Sequence, residues 1–188
     1  VTRQAAADAF RFPLAGLLAE PPGSSRDLRI GPVELDLDGD PKLAGPVSGS
    51  AHVARTNRGV IVRAAFATAL EESCSRCLDP VAAPLSVAIE EEVLPSIDLA
   101  SGLPVDTATE PEVQRLTDHH ELDLEPLVRD AILLAEPIAP LCRPDCPGLC
   151  AECGARLADG PHVHADDEID PRLAALQGFR VDGEAENG

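Results

Sequence analysis

Six cysteines arranged as one distant pair and one tight run constrain this chain more than any other feature of its 188 residues. The stretch Leu141–His164, LCRPDCPGLCAECGARLADGPHVH, carries Cys142, Cys146, Cys150 and Cys153, followed by His162 and His164, within 24 residues. The remaining cysteines, Cys74 and Cys77, form a Cys-x-x-Cys pair far upstream. Such a pair lets two thiolates converge on one ion while the turn aims backbone N–H groups at the sulfurs. Zinc accepts four such ligands in a tetrahedron and has no geometric preference of its own. Eight candidate ligands are enough for two complete sites, so structural zinc, one or two ions, is the expected cofactor.

Three partitions of the ligands are open. In the favoured one, Cys74, Cys77, Cys142 and Cys146 hold one ion, and Cys150, Cys153, His162 and His164 hold a second. The first site would then clamp an upstream hairpin to the downstream segment. Alternatively, a ribbon joins Cys74/Cys77 to Cys150/Cys153 and leaves Cys142 and Cys146 spare. In the third, Cys142, Cys146, Cys150 and Cys153 close a local site. The two histidines also suit plain loop positions, and His52, His119 and His120 fall in no pattern.

Metal outranks disulfide because nothing points to export. The N-terminus, VTRQAAADAFRFPLAG, lacks a long apolar core and a cleavage signal, so a cytoplasmic location with reduced thiols is expected. No apolar run approaches the roughly 18 residues of a membrane helix. The formal net charge of -18 falls by about 2 more if four thiolates bind one divalent ion. A chain this acidic repels bare nucleic acid and anionic membranes, since phosphate contacts need Lys and Arg.

Hydrophobic spacing divides the chain into four regions. Residues 1–94 read as an antiparallel β-rich region with the Cys74/Cys77 knuckle at one hairpin end. Its first part offers an apolar patch, Phe10, Phe12, Leu14, Leu17 and Leu18. From Leu28, Val33, Leu35 and Leu37 alternate with acidic residues as a half-buried strand ending at Gly39 to Pro41. A hairpin follows, turning at Thr56-Asn57-Arg58-Gly59, whose residues tolerate positive φ. After Asp79-Pro80, the spacing of Leu85, Val87 and Ile89 gives another strand. Residues 95–120 form an acidic flexible loop without periodicity.

Residues 121–179 hold a helix, the Cys/His-rich segment and a short second helix. Leu124, Leu127, Val128, Ala131, Ile132, Leu134 and Ala135 recur at the helical period. Asp123 is the expected N-cap and Pro137 the stop, with Arg129 and Asp130 on a solvated face. Asp170, Pro171 and Gly178 bracket the second helix. Residues 180–188 are a polar, disordered tail. The fold class expected is α+β: a mainly antiparallel N-terminal sheet, one packed amphipathic helix and a C-terminal zinc-binding segment.

Other cysteine chemistries fit less well. Cys146, Cys150 and Cys153 share the spacing of radical S-adenosylmethionine enzymes, but Glu152 stands where an aromatic is usual and little chain follows. A thioredoxin-like Cys74/Cys77 would need a helix N-terminus, where Asp79-Pro80 indicates a turn. No Ser-His-Asp set or Gly-rich phosphate loop stands out, so no catalytic residue and no small-molecule substrate are expected.

Four ordered motifs carry a family resemblance: Cys74-Ser-Arg-Cys77-Leu-Asp-Pro, Asp123-Leu-Glu-Pro-Leu-Val-Arg-Asp-Ala-Ile-Leu-Leu-Ala-Glu-Pro, Leu141-Cys-Arg-Pro-Asp-Cys-Pro-Gly-Leu-Cys-Ala-Glu-Cys-Gly and Ile169-Asp-Pro-Arg-Leu-Ala-Ala-Leu. From Glu72 to Phe179 the chain resembles the YceD family, the large ribosomal RNA subunit accumulation proteins. That resemblance implies a non-enzymatic role in 23S rRNA accumulation and large-subunit biogenesis. Relatives often have Cys-x-Cys where this chain has His162-x-His164, an exchange that a metal site tolerates. Some lack part of the cysteine set, which implies that metal supports the structure rather than the activity. The acidic charge points to a basic partner, a ribosomal protein or another assembly factor, rather than direct RNA contact. The alternatives are a generic zinc-ribbon interaction or regulatory module, and a thiol-redox or iron–sulfur enzyme.

Overall fold

Two long strands of alternating side chains organise the molecule. In Val60–Ser73 (β5), Val60, Val62, Ala64, Phe66 and Leu70 are buried while Arg63, Ala65 and Ala67 face solvent, the period of two that a half-buried strand requires. Pro80–Leu94 (β6) likewise buries Val87, Ile89 and Val93. The two pair antiparallel along their whole length, from Val60↔Val93 to Ser73↔Pro80. Val47–Arg55 (β4) pairs with β5, and Ser25–Val33 (β2) with β4, both antiparallel. Lys42–Leu43 (β3) pairs with the end of β5, and Gln114–Arg115 (β7) joins β6 in parallel. In this computed structural model, which describes residues 7–106, 108, 110–160, 164 and 172, the result is a six-stranded sheet of order β2-β4-β5-β6-β7 with β3 off that path. The protein is thus α+β with a largely antiparallel sheet.

The core cluster joins the sheet's inward side chains to those of residues 10–18 and 122–132. Arg11–Pro13 (β1) pairs with Glu121–Asp123 (β8), and the short helix Ala15–Ala19 (α1) follows β1. The expected N-terminal patch supplies Phe10, Leu14, Leu17 and Leu18, all buried. The rings of Phe10 and Phe66 meet with centroids 6.2 Å apart, tilted by 57°. Glu125–Leu134 (α2) packs on β6 and buries Leu127, Val128 and Ile132. Among the described residues, no helix is long and apolar enough to cross a membrane.

Several local expectations shift. The strand expected from Leu28 starts earlier, at Ser25, and ends at Val33. Its register slips between Ile30 and Val33, where Gly31-Pro32 interrupts the ladder because proline has no N–H to donate. Leu35 is nevertheless buried and Leu37 packs on the core, so the alternation reported burial rather than pairing. The turn at 56–59 does not use positive φ at Asn57 or Gly59. It is held instead by the Thr56 hydroxyl, which accepts hydrogen bonds from the backbone N–H of Arg58 (3.2 Å) and Gly59 (2.9 Å).

The 95–120 stretch carries more structure than its lack of periodicity suggests. It contains β7, an isolated bridge between Ile97 and Pro104, and the buried Leu116. Two-residue pairings are too short to leave a period. The helix begins at Glu125 with Leu124 at the cap position, yet Asp123 Oδ1 still accepts the Glu125 N–H at 3.0 Å. Arg129, expected on a solvated face, is half-buried: it pairs with Glu125 at 2.8 Å, donates to the Asp36 carbonyl and lies 3.6 Å from Asp38. The second expected helix, His162 and residues 180–188 lie outside the described residues.

Candidate metal centre

The long hairpin ends in the loop 74–79, whose shape is set by its own backbone. Cys74 N–H donates to the Asp79 carbonyl at 2.8 Å and Leu78 N–H to the Cys74 carbonyl at 2.9 Å, with Leu78 at φ 61°. Ser75 N–H donates to the Pro140 carbonyl at 2.8 Å, which docks the segment after α2 onto the loop. Arg76 Nη1 then reaches the Cys146 carbonyl at 2.9 Å. Gly148, at φ 81°, is what allows this approach, because a Cβ there would stand 3.1 Å from the Arg76 carbonyl oxygen.

The docking gathers four sulfurs. Cys74 Sγ lies 3.8 Å from Cys146 Sγ, and Cys77 Sγ lies 3.7 Å from Cys142 Sγ. All four lie within 4.8 Å of one another. A tetrahedron of thiolates at the usual zinc–sulfur distance of about 2.3 Å has edges of about 3.8 Å. The donor set therefore fits one tetrahedral ion, with no fifth protein ligand needed. Cys74, Cys77 and Cys146 are buried and packed by Leu141 and Leu149, while Cys142 is exposed.

The electrostatics also ask for a cation. The backbone N–H groups of Cys77, Cys142 and Arg76 favour the Cys74 thiolate and lower its pKa to about 6, against the opposing effect of burial. The Asp79 N–H pulls on Cys77 in the same sense. Burial, the Cys74 thiol, the Asp79 carboxylate and Cys146 outweigh it and push Cys77 up to about 12. Cys142 is raised chiefly by its neighbour Cys146, with burial adding to it. One thiolate is thus prepared while its neighbours resist ionising beside it, a conflict that a divalent cation removes.

A second group forms on the adjoining turn. Cys150, Cys153 and His164 place their ligand atoms within 4.8 Å of one another. Cys150 N–H donates to the Ala155 carbonyl (2.8 Å) and Gly154 N–H to the Cys150 carbonyl (2.9 Å), with Gly154 at φ 70°. His164 Nε2 lies 3.1 Å from Cys150 Sγ. Of the three partitions open in the sequence, the structure gathers the one that splits Cys74, Cys77, Cys142 and Cys146 from Cys150, Cys153 and His164. Cys74/Cys77 and Cys150/Cys153 fall in different groups. His162, the fourth expected ligand of the second group, lies outside the described residues.

Polar residues link the two groups. Arg156, bridged in the backbone to Leu149, forms an ion pair with Asp79, and Asp79 Oδ2 lies 3.3 Å from Cys77 Sγ. In the sequence Asp79 and Arg76 stand only as members of the Cys74-to-Pro80 motif, with Asp79 in its turn, and nothing marks Arg156. The partners of Arg76 and Arg156 lie 70 and 77 residues away, beyond any spacing pattern.

A largely antiparallel sheet, a helix packed on it and a cysteine-rich end that could hold metal ions define an α+β protein with a candidate metal-binding end. The chain belongs to the family described as Large ribosomal RNA subunit accumulation protein YceD, which matches residues 62–180. It is 41% identical over 124 residues to Uncharacterized protein Rv2926c of Mycobacterium tuberculosis, covering 66% of this chain and 57% of that protein. It is 33% identical over 131 residues to Uncharacterized protein ML1660 of Mycobacterium leprae, covering 70% of this chain and 58% of that protein. The matched part of the chain thus spans 57–58% of the length of these curated relatives. No solved structure matches it.

Proposed function

We propose that the chain acts as a non-enzymatic, cytoplasmic factor for 23S rRNA accumulation and large ribosomal subunit biogenesis, with structural zinc holding its cysteine-rich end. Membership of the family described by that role carries the functional half of the reading. The sulfur spacing of 3.7–3.8 Å supports the zinc half. A closed four-thiolate centre leaves the ion no open position for substrate, in keeping with a scaffold rather than a catalyst. At a net charge of -18, contact is expected through a basic ribosomal protein or assembly factor rather than bare RNA, and binding should weaken as salt rises.

Depleting the protein tests the function: the 23S to 16S rRNA ratio should fall, and an unchanged ratio sinks the reading. Metal analysis should find zinc without iron in a colourless protein, which also separates this reading from an iron–sulfur enzyme.

Exposed apolar side chains favour one second reading, a zinc-ribbon interaction module unrelated to ribosomes. Leu78 at the knuckle and Leu134 and Ile138 around the end of α2 are all solvent-exposed. Affinity purification that recovers partners but no ribosomal proteins would favour it.

A further inference from the structure

Glu152 occupies a costly place. It stands between Cys150 and Cys153 in the knuckle, where a carboxylate adds negative charge beside two sulfurs that must both ionise to bind metal. Its side chain explains the position: Glu152 Oε2 lies 3.1 Å from Nδ1 of His164. The other ring nitrogen, Nε2, lies 3.1 Å from Cys150 Sγ. The imidazole is therefore held at both ends, by an acceptor and by a prospective co-ligand.

We infer that Glu152 is the positioning residue of the second centre, fixing His164 as the Nδ1–H tautomer so that Nε2 donates to the metal. An ionised carboxylate can only accept a hydrogen bond, so the proton at that contact sits on Nδ1. A neutral ring protonated there keeps its lone pair on Nε2, the nitrogen that faces Cys150. A carboxylate behind a ligating histidine also raises its basicity and holds its ring plane. The tight turn closed by the Cys150–Ala155 and Gly154–Cys150 backbone bonds supplies a fixed base for the Glu152 side chain.

The inference rests on the reading of Cys150, Cys153 and His164 as a metal centre, and the test separates the two. Zinc is titrated into the full chain against a chromophoric chelator, for the wild type, Glu152→Ala, Glu152→Gln and Cys150→Ser. The wild type should bind two ions and Cys150→Ser one. Glu152→Ala should weaken the second ion alone, by about 10–100-fold. Glu152→Gln, whose amide oxygen still accepts from Nδ1–H, should lose less. Nitrogen NMR of the zinc-loaded wild type should show His164 protonated at Nδ1 and metal-bound through Nε2, with faster Nδ1–H exchange in Glu152→Ala. Two ions bound with unchanged affinity by Glu152→Ala, or His164 bound through Nδ1, overturns the role of Glu152 alone. One ion in the wild type overturns the second centre, and the role of Glu152 with it.

Discussion

The sulfurs of Cys74 and Cys146, 72 residues apart in the chain, stand 3.8 Å from each other in the fold. That contact ties the far end of the long hairpin to the segment after α2, and neither Cys74/Cys77 nor Cys142/Cys146 completes a four-thiolate site without the other pair. If zinc holds this end, a long loop is closed by the ion rather than by apolar burial. Cys74→Ser should therefore remove one zinc per chain and leave the second. It should also expose the 141–160 backbone to hydrogen exchange, while the sheet amides keep their protection. Loss of protection throughout the sheet would show that the centre supports the whole fold.

Zinc affinity should depend steeply on pH. Cys77 is pushed up to about 12 and Cys142 is also raised, so both carry protons at neutral pH that the ion must displace. Cys74, lowered to about 6, has given up most of its proton above that pH. Acid favours the protonated ligands, so affinity falls as pH falls. The logarithm of affinity should rise across pH 7–9 with a slope of about two or more protons per ion. Competition titrations at several pH values check this, and a flat profile would contradict the four-thiolate site.

Gly148→Ala should strain the junction between the knuckles. The position has φ 81°, and the new Cβ would stand 3.1 Å from the Arg76 carbonyl oxygen. Left-handed backbone alone costs a non-glycine residue about 1–2 kcal/mol. Gly102→Ala, at φ 69° with open space around it, is the matched control. The expected result is faster zinc loss from Gly148→Ala than from Gly102→Ala, measured by chelator-induced release.

Arg129→Ala should cost more than a surface substitution. The side chain bonds Glu125, one turn earlier on α2, and the Asp36 carbonyl, which fastens the 34–38 segment to the helix. Hydrogen bonds involving a charged group contribute about 1.5–3 kcal/mol. Urea denaturation should show a loss of that size, against almost none for Asp130→Ala.

The alternating runs of β5 and β6 and the helical spacing of α2 were legible because a side chain's burial recurs with the period of its own backbone. The same rule explains the partial failure at Leu35 and Leu37: both contact the core as their alternation implied, yet the strand had ended at Val33. Burial is visible in the pattern, and hydrogen-bond pairing is not. Short pairings such as β7 leave no period to read, and Arg129 read as solvated because its anchor is a backbone carbonyl with no signature in sequence.

By itself the sequence determined which atoms are available to a metal: six thiols, two imidazoles and their grouping into turns that bring neighbours together. Ligand type and local spacing are properties of residues a few positions apart. Only the tertiary structure decided that Cys74 and Cys77 meet Cys142 and Cys146 rather than Cys150 and Cys153. That choice is made by the Ser75–Pro140 and Arg76–Cys146 hydrogen bonds and by the space that Gly148 leaves open. These contacts join distant parts of the chain, so they exist only once the sheet and α2 have set where the two knuckles stand.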